Sequence, residues 1–398
     1  MAELRQNTWS LDEWYDQSVA GTTGGYTGLQ QLWVWGYNEY GGLGLNQGPG
    51  NNRSSPTQIP GSNWSTQFYS YAFGNNHGSI SVKTDGTLWT WGINEFGELG
   101  LNQGSSNVRK SSPTQIPGTT WSFANRGNRV NSAIKTDGTL WMWGRNEYGV
   151  LGLNQHDAHK SSPTQVGTDT TWSKAYMTVN GCWARKTDGT VWVWGYNQSG
   201  TLGLNQQSNT GSRSSPTQLP GDWVTVKASN GRASGVKTDG TLWTWGANSA
   251  GELGLNNRGP SYYYSSPTQV GSGTDWSNIF LGSEKMGAVK TNGTLYTWGN
   301  NYAGTLGLND QGGPTSRSSP TQVPGTTWSS DSRSMSMSYG NTTLLKTDGT
   351  LWTWGANSVG QLGQGDRTFR SSPVQVPGNY EMSQLIAQGS GVQSIRVI

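Results

Sequence analysis

A Trp-Gly pair recurs seven times along this chain. The pairs are Trp35-Gly36, Trp91-Gly92, Trp143-Gly144, Trp194-Gly195, Trp245-Gly246, Trp298-Gly299 and Trp354-Gly355. Their tryptophans are 56, 52, 51, 51, 53 and 56 residues apart, a period typical of a propeller blade rather than of a helical repeat. Because all copies can share one closed body, the repeat predicts one large domain over residues 29–398, preceded by an extension of residues 1–28.

The composition is unusual for a globular domain, but it is compatible with a packed core. Charged residues make up 12% of the chain, about half of the ~25% that is usual, and there are 59 glycines. The 22 Trp and 16 Tyr compensate, because each aromatic side chain can bury about 150–250 Å². Cys182 is the only cysteine, so an intrachain disulfide is excluded and a small buried residue is expected there.

Charge and hydropathy exclude two classes of partner. The formal net charge is +3, without a basic tract or an acidic tail, so a nucleic-acid partner is not expected. The chain contains no run of about 18 apolar residues, so membrane insertion is not expected. The N-terminus also lacks the basic start and apolar run of a standard secretion signal.

Each copy predicts a β-hairpin. In the third copy, Asp137-Gly138 separates two β-rich runs, which favours a tight primed turn because Gly adopts positive φ without steric cost. In the strand after the turn, Trp141 and Met142 point to opposite faces, so both faces of the sheet carry apolar groups. A ring of sheets packed face to face would cover both, and we therefore expect an all-β fold.

Two further segments of the repeat carry structural expectations. The G-x-L-G segment, as in Gly251 to Gly254, should form a bend with its Leu as the buried anchor. A proline follows in every copy and indicates loop or edge backbone, where a missing N–H does little harm. These prolines are Pro56, Pro113, Pro163, Pro216, Pro267, Pro320 and Pro373.

The two ends of the repeat array predict closure of a ring. The first copy begins at Leu29 and lacks the strand that should precede its Trp strand. Residues 389–397 near the chain end match residues 74–82 of the second copy in spacing. We therefore expect a seven-bladed β-propeller that is closed by pairing of the C-terminal strand with the first blade, which would remove free sheet edges.

The motif W-G-x-N-x-x-G-x-L-G, followed by S-P and by T-x-D-G, resembles the regulator of chromosome condensation repeat over about residues 29–398. The resemblance implies a seven-bladed propeller. It does not imply one function, because members of that family serve as exchange factors for a small GTPase, as ubiquitin-ligase scaffolds and as bacterial inhibitors of β-lactamases. The chain lacks a basic chromatin-binding tail, which argues against a chromatin or nuclear exchange role.

The near-identity of the copies to one another gives a second resemblance. SSPTQ, KTDGTLWTWG and LGLN recur almost verbatim, which is similar to repeat proteins of bacteria and marine phages. The N-terminal NTWSLDEWYDQSVAG also resembles leader segments of phage virion proteins. These resemblances imply a virion component.

The loops before SSP vary in sequence between copies and should crowd one rim of the propeller. Variable loops on a rigid scaffold commonly carry recognition. The strongest candidate for binding is the loop with Tyr262, Tyr263 and Tyr264, because tyrosine offers a large contact area with a polar tip. A basic residue also precedes SSP in six copies and is either a cationic ring for an anionic glycan or phosphate surface, or an intra-blade contact. These residues are Arg53, Lys110, Lys160, Arg213, Arg317 and Arg370.

Other titratable residues give weaker expectations. His156 and His159 flank Asp157 at a spacing that could place two imidazoles near a metal ion, but no Cys or Glu cluster lies nearby to complete such a site, so a solvated loop is expected. Five of the six lysines before the D-G or N-G turns have an Asp two residues on, so their charge is expected to be nearly balanced locally. The sequence contains no nucleophile elbow and no phosphate-binding loop. We therefore expect no enzymatic activity, no cofactor and no metal.

The N-terminal extension is a candidate docking element. Ser10 to Glu13 has the form of a capping box that starts a helix. Docking onto another subunit and folding back onto the same propeller are equally compatible with this segment. Its apolar side chains are Trp9, Leu11, Trp14 and Tyr15.

Three functions remain open from the sequence. The leading hypothesis is a noncatalytic phage virion structural or attachment protein, located in the virion, with residues 1–28 joining it to other virion subunits and the rim loops available to a host-surface glycan or protein. The first alternative is a soluble protein-binding module or inhibitor of bacterial origin. The second is a glycan-binding lectin, which would present similar pockets in every blade.

Overall fold

The computed structural model describes residues 32–394 with short gaps. The N-terminal extension, including Trp9, Leu11, Trp14 and Tyr15, lies outside the described residues. The gaps are residues 37, 39, 49–50, 52, 65–68, 71–77, 105–107, 179, 207–210, 230, 260–261, 332–333, 338–339, 359–361, 378–384 and 389–390.

The strands recur in groups of four along the chain. The first strands are β3 (Tyr69–Ser70), β7 (Trp121–Arg126), β11 (Trp172–Met177), β15 (Trp223–Ser229), β19 (Trp276–Leu281), β23 (Met335–Met337) and β27 (Leu385–Gln388). The second strands are β4 (Gly78–Val82), β8 (Val130–Lys135), β12 (Gly181–Lys186), β16 (Arg232–Lys237), β20 (Lys285–Lys290), β24 (Asn341–Leu345) and β28 (Gly391–Ser394).

The third strand of each group contains the Trp-Gly pair, and the fourth begins with the residue before SSP. The third strands are β1 (Trp33–Gly36), β5 (Leu88–Gly92), β9 (Leu140–Gly144), β13 (Val191–Gly195), β17 (Leu242–Ala247), β21 (Leu295–Gly299) and β25 (Leu351–Gly355). The fourth strands are β2 (Arg53–Gln58), β6 (Lys110–Ile116), β10 (Lys160–Gln165), β14 (Arg213–Leu219), β18 (Tyr263–Gln269), β22 (Arg317–Gln322) and β26 (Arg370–Gln375).

Each complete blade is an antiparallel meander of these four strands. The sheets β11-β12-β13-β14, β15-β16-β17-β18, β19-β20-β21-β22 and β23-β24-β25-β26 all have this order, and β7 to β10 repeat it. Strand β3 pairs in parallel with β7 of the next blade. The described residues contain no α-helix, and 3-10 turns lie at Glu147–Gly149 and Gly313–Thr315. The all-β prediction is confirmed.

The first strands lie nearest the propeller axis, and the fourth strands form the outer edges. Neighbouring first strands approach one another, as β7 does β11 and β19 does β23. The SSP prolines lie within the edge strands, at an irregularity in the ladder to the third strand, as in β14 between Arg213 and Thr217. The edge position predicted for proline is confirmed, because the missing N–H falls where the ladder is interrupted.

The last described strand lies next to the first one. Strand β28 lies beside β1, while the described ladders join β28 to β27 and β1 to β2. The order β27-β28-β1-β2 would give this unit the same four strands as the other blades. Ring closure through β28 and β1, and with it the count of seven blades, stays a prediction that this adjacency supports.

The tryptophans of the Trp-Gly pairs join each blade to the preceding one. From the second copy onward they are buried, and each indole N–H donates to a backbone carbonyl of the preceding blade at 2.6 to 3.0 Å. Gly100 lies against such an indole, since a Cβ there would be 2.8 Å from Nε1 of Trp143. At the second Gly of the G-x-L-G segment, the backbone of one blade therefore lies directly against the indole of the next blade.

Cys182 is buried as expected, and burial raises the pKa of its thiol.

The G-x-L-G-L-N segment is a docking segment as well as a bend. Its anchoring leucines are buried, as Leu99 is, which confirms that prediction. The Asn that ends the segment also donates its backbone N–H to the first serine of SSP in the next blade at 2.7 to 2.8 Å. These pairs are Asn46–Ser111, Asn102–Ser161, Asn154–Ser214, Asn205–Ser265, Asn256–Ser318 and Asn309–Ser371. Contact between neighbouring blades therefore explains why both LGLN and SSP recur.

The Asp-Gly hairpins form as predicted, but the prediction of a tight primed turn is wrong. Lys135 N–H donates to the Thr139 carbonyl, and Gly138 N–H donates to the Lys135 carbonyl, which leaves a three-residue loop. Only Gly138 has positive φ, at 80°, while Asp137 accepts hydrogen bonds from the backbone and hydroxyl of Thr139. The Asp is selected as an acceptor that closes the loop, and the Gly supplies the left-handed residue.

The lysines of these turns lie over two aromatic rings each. Lys135 Nζ, for example, is 5.1 Å from the Trp121 ring and 4.1 Å from the Trp141 ring. Lys83, Lys186, Lys237, Lys290 and Lys346 repeat this arrangement. Lys186 and Lys290 also form ion pairs, but their partners Asp169 and Asp275 precede the first strand and are not the turn residues two positions after the lysine. The main contact of these ammonium groups is therefore aromatic.

Candidate protein-binding face

The two ends of the blades carry different loops. Strand β9 ends at Gly144, which pairs with Val130 at the start of β8, so the turn between first and second strands lies beside the variable loop that follows the third strand. We call this end the loop face. The opposite end carries the Lys-Thr-Asp-Gly turns, and we call it the turn face.

The basic residues before SSP occupy the same register position in each of their blades, on the loop face. Each one lies opposite the Gly of a Trp-Gly pair in the antiparallel ladder, as Arg53 lies opposite Gly36. Arg317 and Arg370 form ion pairs with Asp310 and Asp366 of their own loops. Arg213 donates to backbone carbonyls of its loop. These three guanidinium groups are therefore engaged within their blades, as the intra-blade interpretation expects.

Lys110 and Lys160 differ from these arginines. Both are half-buried, and no described carboxylate lies within ion-pair distance of either ammonium group. The positive charge of the predicted ring is therefore neutralised by carboxylates on the sixth and seventh copies, whereas no described carboxylate pairs with it on the second, third and fourth. This asymmetry is a property of the loops, since the strand position is the same in all copies.

The three adjacent tyrosines of the fifth copy do not act as one patch. Tyr262 and Tyr263 are exposed, with relative accessibilities of 48% and 46%. Tyr264 is half-buried, packs against two hydrophobic clusters, and accepts a hydrogen bond from Nδ2 of Asn257 at 2.7 Å. Only the first two are available to a partner.

The histidine loop of the third copy contributes to a different arrangement from a metal site. No group of three or more metal-ligating side chains occurs in the described part of the chain. Nδ1 of His159 accepts the backbone N–H of Asn146 at 3.0 Å, and its ring meets the Phe96 ring edge to face at 4.9 Å. His159 is thus an exposed aromatic contact of Phe96.

Phe96 is surrounded by groups from the next blade. Besides His159, the guanidinium carbons of Arg129 and Arg145 lie 5.1 Å and 5.6 Å from its ring centroid. Phe96 follows β5, while Arg129 lies between β7 and β8 and Arg145 follows β9. Three loops on two blades therefore converge on one half-buried ring.

Two carboxylates hold these arginines in place. Glu95 forms an ion pair with Arg129, and Glu147 forms one with Arg145. The Arg145 backbone N–H also donates to the Arg129 carbonyl at 2.8 Å, and its buried Nε has no hydrogen-bond partner. The pairing reduces the freedom of two long side chains, so the arginine planes are preorganised around the ring.

Aromatic contacts extend this arrangement over four successive copies. Arg109 lies 4.9 Å from the Tyr40 ring on one side, and Tyr148 lies 4.4 Å from the Tyr196 ring on the other. Tyr148 is exposed and adopts a left-handed conformation with φ 57°. We refer to the whole set as the Phe96 face, which consists of Tyr40, Phe96, Arg109, Arg129, Arg145, Tyr148, His159 and Tyr196.

Two buried ionisable side chains, Glu98 and Arg126, lie near the loop that carries Phe96 without forming an ion pair. Glu98 is fully buried and accepts the Phe96 backbone N–H at 2.7 Å. Burial raises the pKa of its carboxyl, and the charge of buried Arg126 from the next blade opposes that shift. Nη1 and Nη2 of Arg126 have no hydrogen-bond partner, and burial lowers its pKa. The loop that carries Phe96 is therefore anchored to a buried carboxyl group.

In the fifth copy, the buried carboxylate equivalent to Glu98 has its basic partner in the same blade. There Arg232, the first residue of β16, lies 3.2 Å from the Glu252 carboxylate, and Glu252 accepts the Ala250 N–H as Glu98 accepts that of Phe96. The residue equivalent to Arg232 in the second copy is Gly78. Arg126 fills the space that it leaves, with Cζ 3.2 Å from the position of a Cβ on Gly78.

The comparisons with known proteins agree on one family. A family model described as the RCC1-like domain matches residues 31–395. The chain is 27% identical to the Ultraviolet-B receptor UVR8 of Arabidopsis thaliana over 85% of this chain and 76% of that protein. It is 25% identical to the human E3 ubiquitin-protein ligase HERC2 over 91% of this chain, which spans only 7% of that ligase.

Solved structures show the same fold. Human WBSCR16 superposes with a TM-score of 0.67 and 18% identity over 88% of this chain and 94% of that chain. Prp20p of Saccharomyces cerevisiae, which binds Gsp1p and histones, superposes with a TM-score of 0.67 and 16% identity over 88% and 87% of the two chains. Among the described residues of our chain, no helical segment has the length and hydrophobicity of a transmembrane span.

Proposed function

The chain belongs to the RCC1-like domain family, and from this premise we propose that it is a noncatalytic protein-binding module whose partner docks on the Phe96 face. The convergence of two arginines and a histidine on the Phe96 ring carries the proposal. Family membership supplies the scaffold, while the choice of surface rests on these residues.

The composition of the Phe96 face supports a protein partner. Phenylalanine, tyrosine and arginine are enriched in protein interfaces, and tyrosine and arginine are frequent among the residues that dominate binding energy. The face combines all three over four copies, with its central arginines already paired to Glu95 and Glu147. A partner would therefore meet aromatic surface and oriented guanidinium groups at a small entropic cost.

The uneven distribution of aromatic residues favours one protein partner over a glycan that binds every blade. The positions equivalent to Tyr40, Phe96 and Tyr148 hold Ser199, Ala250 and Ala303 in the next three copies. A lectin with similar pockets in each blade would need the same side chains throughout. The Phe96 face is present on one side of the propeller only, so it suits an asymmetric protein contact.

The virion hypothesis now ranks below the protein-binding module. UVR8 and HERC2 are eukaryotic proteins, and neither name describes a virion component. A structural role in a phage particle, location in the virion and docking of the N-terminal extension on virion subunits stay predictions from the sequence resemblance. Detection of the protein in purified particles at a fixed copy number would restore them.

Affinity capture with full-length variants tests the proposal. The double variant F96A/Y148A removes two rings of the Phe96 face, whereas Y262A/Y302A removes two exposed rings that lie outside it. We expect the first to weaken capture of the partner by at least ~10-fold, about 1.4 kcal/mol, and the second to leave it unchanged. Equal capture by both variants would contradict the assignment of the face.

A further inference from the structure

We propose that the acidic segment of this same chain, residues 9–16, docks on the Phe96 face and competes with the partner. The inference rests on the proposed function of that face. The segment reads WSLDEWYD and carries Asp12, Glu13 and Asp16 without a basic residue. It therefore combines three negative charges with two tryptophans, a tyrosine and a leucine.

The charges of the Phe96 face and its rim complement this segment. Arg109, Lys110 and Lys160 are cations for which no described carboxylate lies within ion-pair distance. At the equivalent position of the sixth and seventh copies, Arg317 and Arg370 are paired with acids of their own loops. Arg213, Arg258 and Arg367 also lack such a carboxylate, but each is the only one of this kind in its variable loop, whereas the second and third copies together hold three such cations beside Phe96. An acidic ligand is attracted to that side of the ring of loops.

The aromatic groups complement each other as well. Arginine planes stack on the faces of tryptophan and tyrosine, with tryptophan the strongest acceptor. On the Phe96 face, Arg109 is half of such a pair with Tyr40, and Arg129 and Arg145 are held in place by ion pairs. Trp9, Trp14 and Tyr15 supply aromatic rings on which these guanidinium groups could stack.

The chain between the segment and the propeller is long enough. Leu32 follows Asp16 by sixteen positions, so the extended reach is about 50 Å at ~3.3 Å per residue. Strand β1 runs from Trp33 toward the loop face, and a four-residue strand spans about 13 Å. The segment can therefore reach the loop face from the start of β1 and cross to the neighbouring blades. A tether of this length also favours binding to the same chain over binding to another copy.

Zero-length cross-linking of the full-length protein tests the contact. A carbodiimide joins carboxylates to amines only when they touch, so Asp12, Glu13 or Asp16 should become linked to Lys110 or Lys160. An equal mixture of ¹⁴N-labelled and ¹⁵N-labelled protein should give links within one isotope only. Lys290 and Lys346, on the turn face of distant blades, serve as internal controls and should remain unlinked to the segment.

Three results would overturn the inference: absence of links to Lys110 and Lys160, links spread equally over the control lysines, or links only between differently labelled chains. Partner binding gives a second readout. The full-length variant D12N/E13Q/D16N should bind the partner at least ~3-fold more tightly than the unmodified chain. If that variant binds unchanged while F96A/Y148A loses binding, self-docking is wrong and the proposed function stands. If F96A/Y148A binds normally, the proposed function itself is wrong.

Discussion

The guanidinium carbon of Arg145 lies 5.6 Å from the centre of the Phe96 ring, although the two residues belong to adjacent blades. Their relative position depends on how the blades pack, because Phe96 follows β5 and Arg145 follows β9. The same seam contains the Trp143 indole, whose N–H donates to the Glu98 carbonyl at 3.0 Å. The geometry of the Phe96 face is therefore tied to the contact that holds the second and third copies together.

The variant G100A should destabilise the propeller at this seam. Gly100 has φ +68°, and an added Cβ would lie 2.8 Å from Nε1 of Trp143 and 3.2 Å from Cδ1 of Ile116. We expect a loss of about 2 kcal/mol or more in the free energy of unfolding, measured by chemical denaturation, because both strain and overpacking oppose the change. The control G48A has open space around its added Cβ and should cost nothing. Equal stability of the two variants would show that the close approach is unimportant.

The lysines between two aromatic rings should contribute to stability through their charge. Replacing Lys135 with Gln removes an ammonium group from 4.1 Å and 5.1 Å above two Trp rings. The expected loss is about 1 kcal/mol in the free energy of unfolding. Lys110 forms no ion pair with a described carboxylate, so K110Q should change stability by less than ~0.5 kcal/mol. A K135Q variant as stable as K110Q would contradict the aromatic interpretation.

Lys285 should make stability depend on pH in the alkaline range. It is buried, its Nζ donates only a 3.4 Å hydrogen bond to the Asn341 carbonyl, and burial lowers its pKa to about 7. The residue equivalent to Glu252 in this blade is Thr305, which supplies no counter-charge. Unlike Arg232, Lys285 therefore lies in the core without a paired carboxylate.

The sign follows from proton uptake on unfolding. Between pH 7 and about 10.4, Lys285 is neutral in the folded chain and protonated in the unfolded chain, so its contribution should raise stability with pH by about 1.4 kcal/mol per unit. Below pH 7 both states are protonated and this dependence vanishes. In K285M, the slope of stability against pH should fall by that amount. Burial also lowers the pKa of Lys227, to about 8, but Lys227 is present in both proteins and its contribution cancels in the comparison. Parallel stability curves for K285M and the unmodified chain would show that Lys285 does not titrate in this way.

The fold could be predicted from the repeat because the same residues solve the same packing problem in every copy. The seven Trp-Gly pairs predict seven third strands. From the second copy onward, Asp-Gly predicts the hairpin that precedes each pair, with Asn292-Gly293 in its place in the sixth copy. The exact turn could not be predicted, since Asp137 acts through side-chain hydrogen bonds to Thr139 rather than through positive φ. The docking of Asn102 on Ser161 was also missed, because it joins residues 59 positions apart in different blades.

The Phe96 face was missed for a related reason. Phe96, Arg129 and His159 are separated in sequence by about 30 residues at each step and meet only after two blades have packed. One signal was available. The fourth residue after the Gly of each Trp-Gly pair is aromatic in the first three copies and small in the next three. Such a departure from the repeat identifies side chains that blade packing does not require.

Site-specific photocross-linking tests the central claim most directly. A photoreactive phenylalanine analogue at position 148 would lie on the Phe96 face, and the same analogue at position 302 would replace an exposed tyrosine outside it, with 78% relative accessibility. In a lysate of the source organism, we predict that the protein labelled at position 148 forms one dominant cross-link to a partner protein, which addition of unlabelled full-length protein suppresses. The protein labelled at position 302 should not form it. The same partner cross-linked from both positions, or from position 302 alone, would contradict the claim.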